Sequence, residues 1–143
     1  MQRPCLALRT VCAAALVLGL AGCEALVLGT AAGMALAYVR GEGIRKYDVP
    51  YEQVVNAVVE AASALHLRDQ TVSRGDRRTT VRGRDVDGNR VRIRVYPRED
   101  GTQAEVRVRI GVMGEYVPTK IFVDTVNERL GLPPEPDAPR AAG

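Results

Sequence analysis

Residues 89–111 read NRVRIRVYPREDGTQAEVRVRIG, with arginine alternating with valine or isoleucine on both sides of an Asp-Gly step. Successive side chains of a strand point to opposite faces, so this pattern predicts a hairpin with one apolar and one basic face. Asp100-Gly101 suits a two-residue turn in which both central positions take positive φ. Closure there sets Val95 opposite Val106, Ile93 opposite Val108 and Val91 opposite Ile110, all on one side. On the other side Arg94 faces Arg107 and Arg92 faces Arg109.

The preceding turn, DVDGN at Asp85–Asn89, reads as a three-residue loop Asp87-Gly88-Asn89 with Asn89 in the left-handed region. Val81 then pairs with Val95, Arg82 with Arg94 and Arg84 with Arg92. Two rows are expected: Arg82, Arg94, Arg107 and Arg84, Arg92, Arg109. Strands lie about 4.8 Å apart, and like charges directly opposed cost roughly 0.2–1 kcal/mol per pair. Glu105, opposite Tyr96, is the one acid this register places on the basic side. The rows call for a neutralising partner: headgroup phosphates, an anionic glycan, or carboxylates of an envelope protein. Guanidinium suits each through its planar fork. The plain alternative is a solvated face, with splayed side chains screened over a Debye length of about 8 Å.

The rest of the chain places this hairpin in a small domain. EGIRKYDV reads as a short strand, and Pro50 suits a first helical turn. Val54, Val55, Val58, Ala61, Ala62 and Leu65 follow at helical spacing. Extended segments come next, near 70–73, 79–86, 90–96 and 104–111. Pro118 opens a second helix carrying Phe122, Val126 and Leu130, with Gly131 as its stop. The order β-α-β-β-β-β-α predicts an α+β fold: a two-layer sandwich with an antiparallel meander of four to five strands and both helices on one face. The folded part is expected at residues 41–131. Residues 132–143, LPPEPDAPRAAG, hold four prolines and no aromatic or β-branched residue, and are expected to be disordered.

Charge excludes a general nucleic-acid binder. Of 20 basic residues, Arg3 and Arg9 lie in residues 1–22, leaving 18 against 17 acids. The excess is local, with twelve arginines against seven acids from Arg68 to Arg109. No Trp and one Phe leave little for base stacking.

The beginning of the chain is an address. MQRPCLALRTVCAAALVLGLAGC has a basic start, an apolar run from Val11 to Leu20, and then Leu20-Ala21-Gly22-Cys23. This resembles the bacterial lipoprotein signal, which implies cleavage between Gly22 and Cys23 and attachment of acyl chains to Cys23. Residues 1–22 are then a signal peptide. Residues 23–40, Gly/Ala-rich and apolar, are expected to form a tether beside the lipid. The alternative is an uncleaved single-span helix, since Gly29 and Gly33 make a G-x-x-x-G spacing; fifteen apolar residues are short for a full span. Cys5 and Cys12 leave with the signal, so no disulfide is expected. The expected location is the cell envelope, with the domain in the periplasm and the outer membrane favoured over the inner.

Reaction chemistry has little to stand on. The single histidine, His66, ends the first helix, where it can interact with the dipole. Ser63 and Ser73 have no base in a recognisable pattern. DVDGN begins like a calcium loop, but position 12 of such a loop would be Tyr96 rather than glutamate. No enzyme activity, cofactor or metal is expected. The competing class is a periplasmic hydrolase with a dispersed site, which would need a pocket holding His66 and an acid.

The lipoprotein signal, the Gly/Ala spacer, YDVPYEQVVNAVVEAASAL, DVDGNRVRIRV and VRVRIGVMGE together resemble an uncharacterised family of small bacterial lipoproteins carrying a domain of unknown function. The likeness runs from about Cys23 to Leu130, and GEYVPTK departs from the more acidic, proline-free helix start expected there. It implies an architecture and an envelope location, with no catalytic residues. The element order is also similar to the helix-grip domains of lipoproteins in outer-membrane assembly machinery, a likeness of fold alone.

Overall fold

The structure, a computed structural model, describes residues 35–137. Its strands are β1 (Ala37–Val39), β2 (Glu42–Tyr47), β3 (Arg68–Gly75), β4 (Arg78–Arg84), β5 (Arg90–Arg98) and β6 (Gln103–Ile110). They form one antiparallel sheet in the order β1-β2-β6-β5-β4-β3. Helices α1 (Tyr51–Ala64) and α2 (Tyr116–Arg129) pack on the same face. The fold is the expected α+β two-layer arrangement.

The sheet has six strands where four or five were expected. The additional strand, β1, lies in the stretch read as tether, so sheet structure begins before residue 41. Three residues are too few to show a period, and AYV reads as more apolar spacer. What makes them a strand is the turn: Arg40 and Gly41 both adopt positive φ, 52° and 75°, as a tight two-residue hairpin turn requires. Glycine at 41 also lets two backbones meet. A Cβ there would lie 2.0 Å from the Met113 carbonyl oxygen, and one on Gly114 would lie 1.9 Å from that of Gly41. The β1–β2 turn is thereby pressed against the loop between β6 and α2.

The central hairpin has the expected register, with Val91, Ile93 and Val95 opposite Ile110, Val108 and Val106. Asp100 and Gly101 take φ of 54° and 89°, and the Thr102 N–H bonds the Glu99 carbonyl at 3.1 Å. The β4–β5 register is corrected by two residues: Val81 faces Ile93, Thr79 faces Val95, and Arg82 faces Arg92. The cause is Asp85. Its carboxylate accepts the backbone N–H groups of Asp87 and Asn89 at 3.0 and 2.8 Å and the Asn89 side-chain amide at 3.1 Å. The three-residue loop is therefore Val86-Asp87-Gly88, and Gly88, not Asn89, takes the left-handed position at φ 85°. A shift of two leaves every side chain on its expected face.

On the inner face Val81, Val91, Ile93, Val95, Val106, Val108 and Ile110 are buried. α1 lays Val54, Val55, Ala57, Val58, Ala61 and Ala62 on them, and α2 adds Phe122, Val123 and Val126. Each fully buried Val or Phe side chain contributes about 1.5–3 kcal/mol. Pro118 falls in the first turn of α2, where its missing N–H leaves no intrahelical bond unmade. Gly131 closes that helix at φ 70°, with the Leu132 N–H reaching the Asn127 carbonyl at 2.8 Å. α1 ends the same way, with His66 in the left-handed position at φ 53° and the Leu67 N–H on the Ala62 carbonyl at 3.0 Å.

The tail also departs from expectation. Leu132 packs against the core, and Glu135 is buried. The Glu135 carboxylate lies 2.8 Å from the Arg45 guanidinium and accepts the Leu36 N–H at 2.8 Å and the Asn127 side-chain amide at 3.1 Å. Its own N–H donates to Asp124 at 2.7 Å. Composition argues for disorder by counting residue types; it does not register one carboxylate finding a buried guanidinium. The expected signal peptide, Gly22, Cys23 and most of the tether lie outside the described residues, as do residues 138–143.

Candidate functional site

Even-numbered residues of β4 and β5 and odd-numbered residues of β6 point away from the helices, because Val81, Ile93 and Val108 take the inner face. Arg82, Arg84, Arg92, Arg94, Arg107 and Arg109 accordingly share the outer face. The corrected register regroups them. One row runs Arg82-Arg92-Arg109, and another runs Thr80-Arg94-Arg107. A third, unforeseen row runs Arg68-Arg84-Arg90. Arg90 continues the even-numbered series of β5, which was the signal for it. Arg68 reaches the face through an irregularity in β3 between Arg68 and Thr71.

Part of the face is neutralised from within. Glu42 pairs with Arg94. Glu105 takes Arg98 and the Arg107 Nε, the latter at 2.7 Å. Burial alone would raise the Glu105 pKa, but hydrogen bonds from Arg107 and Arg98 and their charges outweigh it and hold the group below its usual range. The Tyr96 ring completes this half, with the guanidinium of Arg107 at 5.1 Å and that of Arg78 at 6.0 Å from its centre. Glu42 was not foreseen as a partner. It opens β2, and only the non-sequential pairing of β2 with β6 brings it here.

The other half has no such partners. Among the described residues, Arg82, Arg84, Arg90, Arg92 and Arg109 form no ion pair with a carboxylate. Arg109 donates to the Val112 carbonyl at 2.8 Å and Arg84 to that of Gly88 at 3.2 Å. Carbonyls orient these groups without cancelling their charge. Two open grooves run between them. One, of about 220 Å³, is lined by Arg82, Arg84, Arg90 and Arg92 together with Asp69, Gly83 and Val91. The second, of about 270 Å³, is lined by Arg90, Arg92, Arg109, Gly111 and Val112. Rigid strands set the guanidinium stems about 4.8 Å apart across the sheet, a spacing that several oxygens of one polyanion can bridge.

The residues considered for reaction chemistry are not brought together. His66 is exposed at the end of α1. The Ser63 hydroxyl donates to the Val59 carbonyl at 3.0 Å, and Ser73 lies exposed on β3. Asp85 is occupied by the turn it builds. Cys23 and Gly22 fall outside the described residues. No helix of the described residues is long and apolar enough to cross a membrane.

No curated protein matches the chain. Residues 6–128, which take in most of the expected leader, the whole sheet and nearly all of α2, match the family described as "Protein of unknown function (DUF3568)", and the chain belongs to that family.

Proposed function

We propose that the protein is a lipid-anchored, non-enzymatic module of the bacterial cell envelope whose outer sheet face binds an anionic partner. The signal at residues 1–22, cut between Gly22 and Cys23, delivers it to the periplasmic side, and acyl chains on Cys23 hold it to the membrane. Stable anchoring needs two or more chains, which a lipoprotein cysteine supplies. The outer membrane is the favoured location.

The observation that carries the binding role is the division of the arginine face. Arg94 and Arg107 have internal carboxylate partners, whereas Arg82, Arg84, Arg92 and Arg109 have none among the described residues. A fold that supplied Glu42 and Glu105 to one half of a basic face leaves the other half's charge for a ligand. Envelope polyanions of that kind are lipid headgroups, acidic glycans and acidic protein surfaces, and export removes cytoplasmic nucleic acid as a partner.

Two measurements test the proposal. Intact mass of the membrane-extracted protein should show loss of residues 1–22 and addition of acyl chains, and Cys23→Ala should abolish both; a membrane-bound Cys23→Ala protein of unchanged mass contradicts anchoring. For binding, the full-length chain in neutral detergent should be retained on immobilised heparin. Replacing Arg82, Arg84, Arg92 and Arg109 with Gln should bring elution to much lower salt. Equal elution removes the face from the account.

A further inference from the structure

Exposed apolar side chains are not spread evenly over this molecule. Of the seven large hydrophobic residues that stand exposed among those described, five gather at one end of the sheet: Val39, Val86, Val112, Met113 and Val117. Val39 precedes the β1–β2 turn, Val86 caps the β4–β5 loop, and Val117 begins α2. Val112 and Met113 form the tip of the loop after β6, each 84% exposed. That loop is fixed in place. The Gly111 N–H bonds the Arg90 carbonyl at 2.9 Å, and the contact between Gly41 and Gly114 presses it against the β1–β2 turn. The exposure is therefore a property of an ordered tip.

Charge surrounds this tip with the same bias. Arg84, Arg90, Arg92 and Arg109 lie behind it, and Val112 shares a groove with three of them. The exposed acids at this end are Asp69, Asp87 and Glu115. The turns at the other end, Asp76-Arg77 and Glu99-Asp100, carry no large exposed hydrophobic residue. An apolar tip backed by unpaired guanidinium groups matches a bilayer surface, where acyl chains lie just beneath a layer of phosphates. Guanidinium binds such phosphates by paired hydrogen bonds.

Resting on the proposed envelope anchoring and arginine face, we infer that this end of the sheet docks on anionic phospholipid, with Val112 and Met113 entering the headgroup layer and Arg84, Arg90, Arg92 and Arg109 binding its phosphates. The anchor permits this contact, since the residues between Cys23 and Leu36 can each span up to about 3.3–3.6 Å when extended. Docking fixes the domain's orientation on the membrane, with the β3–β4 and β5–β6 turns facing away.

The absence of tryptophan from the chain gives a clean test. Full-length protein carrying Met113→Trp, and a control carrying Asp76→Trp at the far end, are reconstituted into vesicles of phosphatidylcholine with or without phosphatidylglycerol. With phosphatidylglycerol, the Met113→Trp emission should move to shorter wavelength and be quenched by brominated acyl chains, while the control keeps a water-like emission. Each of Arg84, Arg90, Arg92 and Arg109 replaced by Gln should lower the docked fraction's equilibrium constant about fivefold, and salt should reverse the shift. Identical, water-like emission from both tryptophans overturns the docking. If heparin retention still depends on the arginines in that case, only the docking fails; if retention is lost as well, the arginine-face reading fails with it.

Discussion

His66 occupies a backbone position that glycine fills best. It closes α1 at φ 53°, with its N–H on the Ser63 carbonyl at 3.1 Å, as Gly131 closes α2 at φ 70°. A side chain in the left-handed region costs roughly 1–2 kcal/mol. His66→Gly should therefore raise stability by about 1 kcal/mol, seen by calorimetry as a Tm increase of about 4–8 °C; a decrease would give the imidazole a packing role. Glu105 works in the opposite sense. Its folded pKa is depressed, so as pH falls the unfolded chain takes up the proton first. Its contribution is complete above the unfolded value near 4.3 and is lost as pH drops through the lower folded value. Glu105→Gln should cost about 1.5–3 kcal/mol at neutral pH, and the gap from wild type should narrow as pH falls below about 4.3 and on through the lower folded value. Thermal unfolding across that range measures it, and parallel curves would show that the charge of Glu105 does not matter.

At the scale of elements, Glu135 ties the segment after α2 to β1 and β2. Arg45 has a side chain only 14% exposed, so removing its partner strands a guanidinium beneath α2. Glu135→Ala should cost about 3–5 kcal/mol and speed amide exchange at Leu36, whose N–H the carboxylate accepts. Replacing both residues with apolar ones, Arg45→Met with Glu135→Leu, should recover most of the loss; a double variant no better than the single would contradict burial as the cause. This strap also marks where the sequence stops being readable. The β5–β6 pairing was legible because alternation and an Asp-Gly turn agree. The β4–β5 register slipped because the side chain of Asp85, invisible to any period, chooses the loop. β1 is too short to show alternation. Glu42 and Glu135 find their arginines through long-range pairing, which no local pattern records.

Over the whole molecule, nearly balanced charge conceals a strong asymmetry. The helix side carries the core, and the outer face carries arginines from four strands. Of these, Arg94, Arg98 and Arg107 are satisfied internally by Glu42 and Glu105. The half near the β4–β5 and β6–α2 loops is not, and it adjoins the exposed apolar tip. The two-residue shift of β4 sets Arg82 opposite Arg92 and Arg84 opposite Arg90, so neither stands across from an arginine that holds a carboxylate. The most direct test of this division compares two pairs of substitutions in the full-length chain in neutral detergent. Heparin affinity is measured at salt between about 50 and 200 mM. Arg92→Gln with Arg109→Gln should lower the affinity at least tenfold and flatten its salt dependence, while Arg94→Gln with Arg107→Gln should change it less than about twofold, because those charges are already matched. Equal losses from the two pairs, or a larger loss from Arg94 and Arg107, would contradict the account.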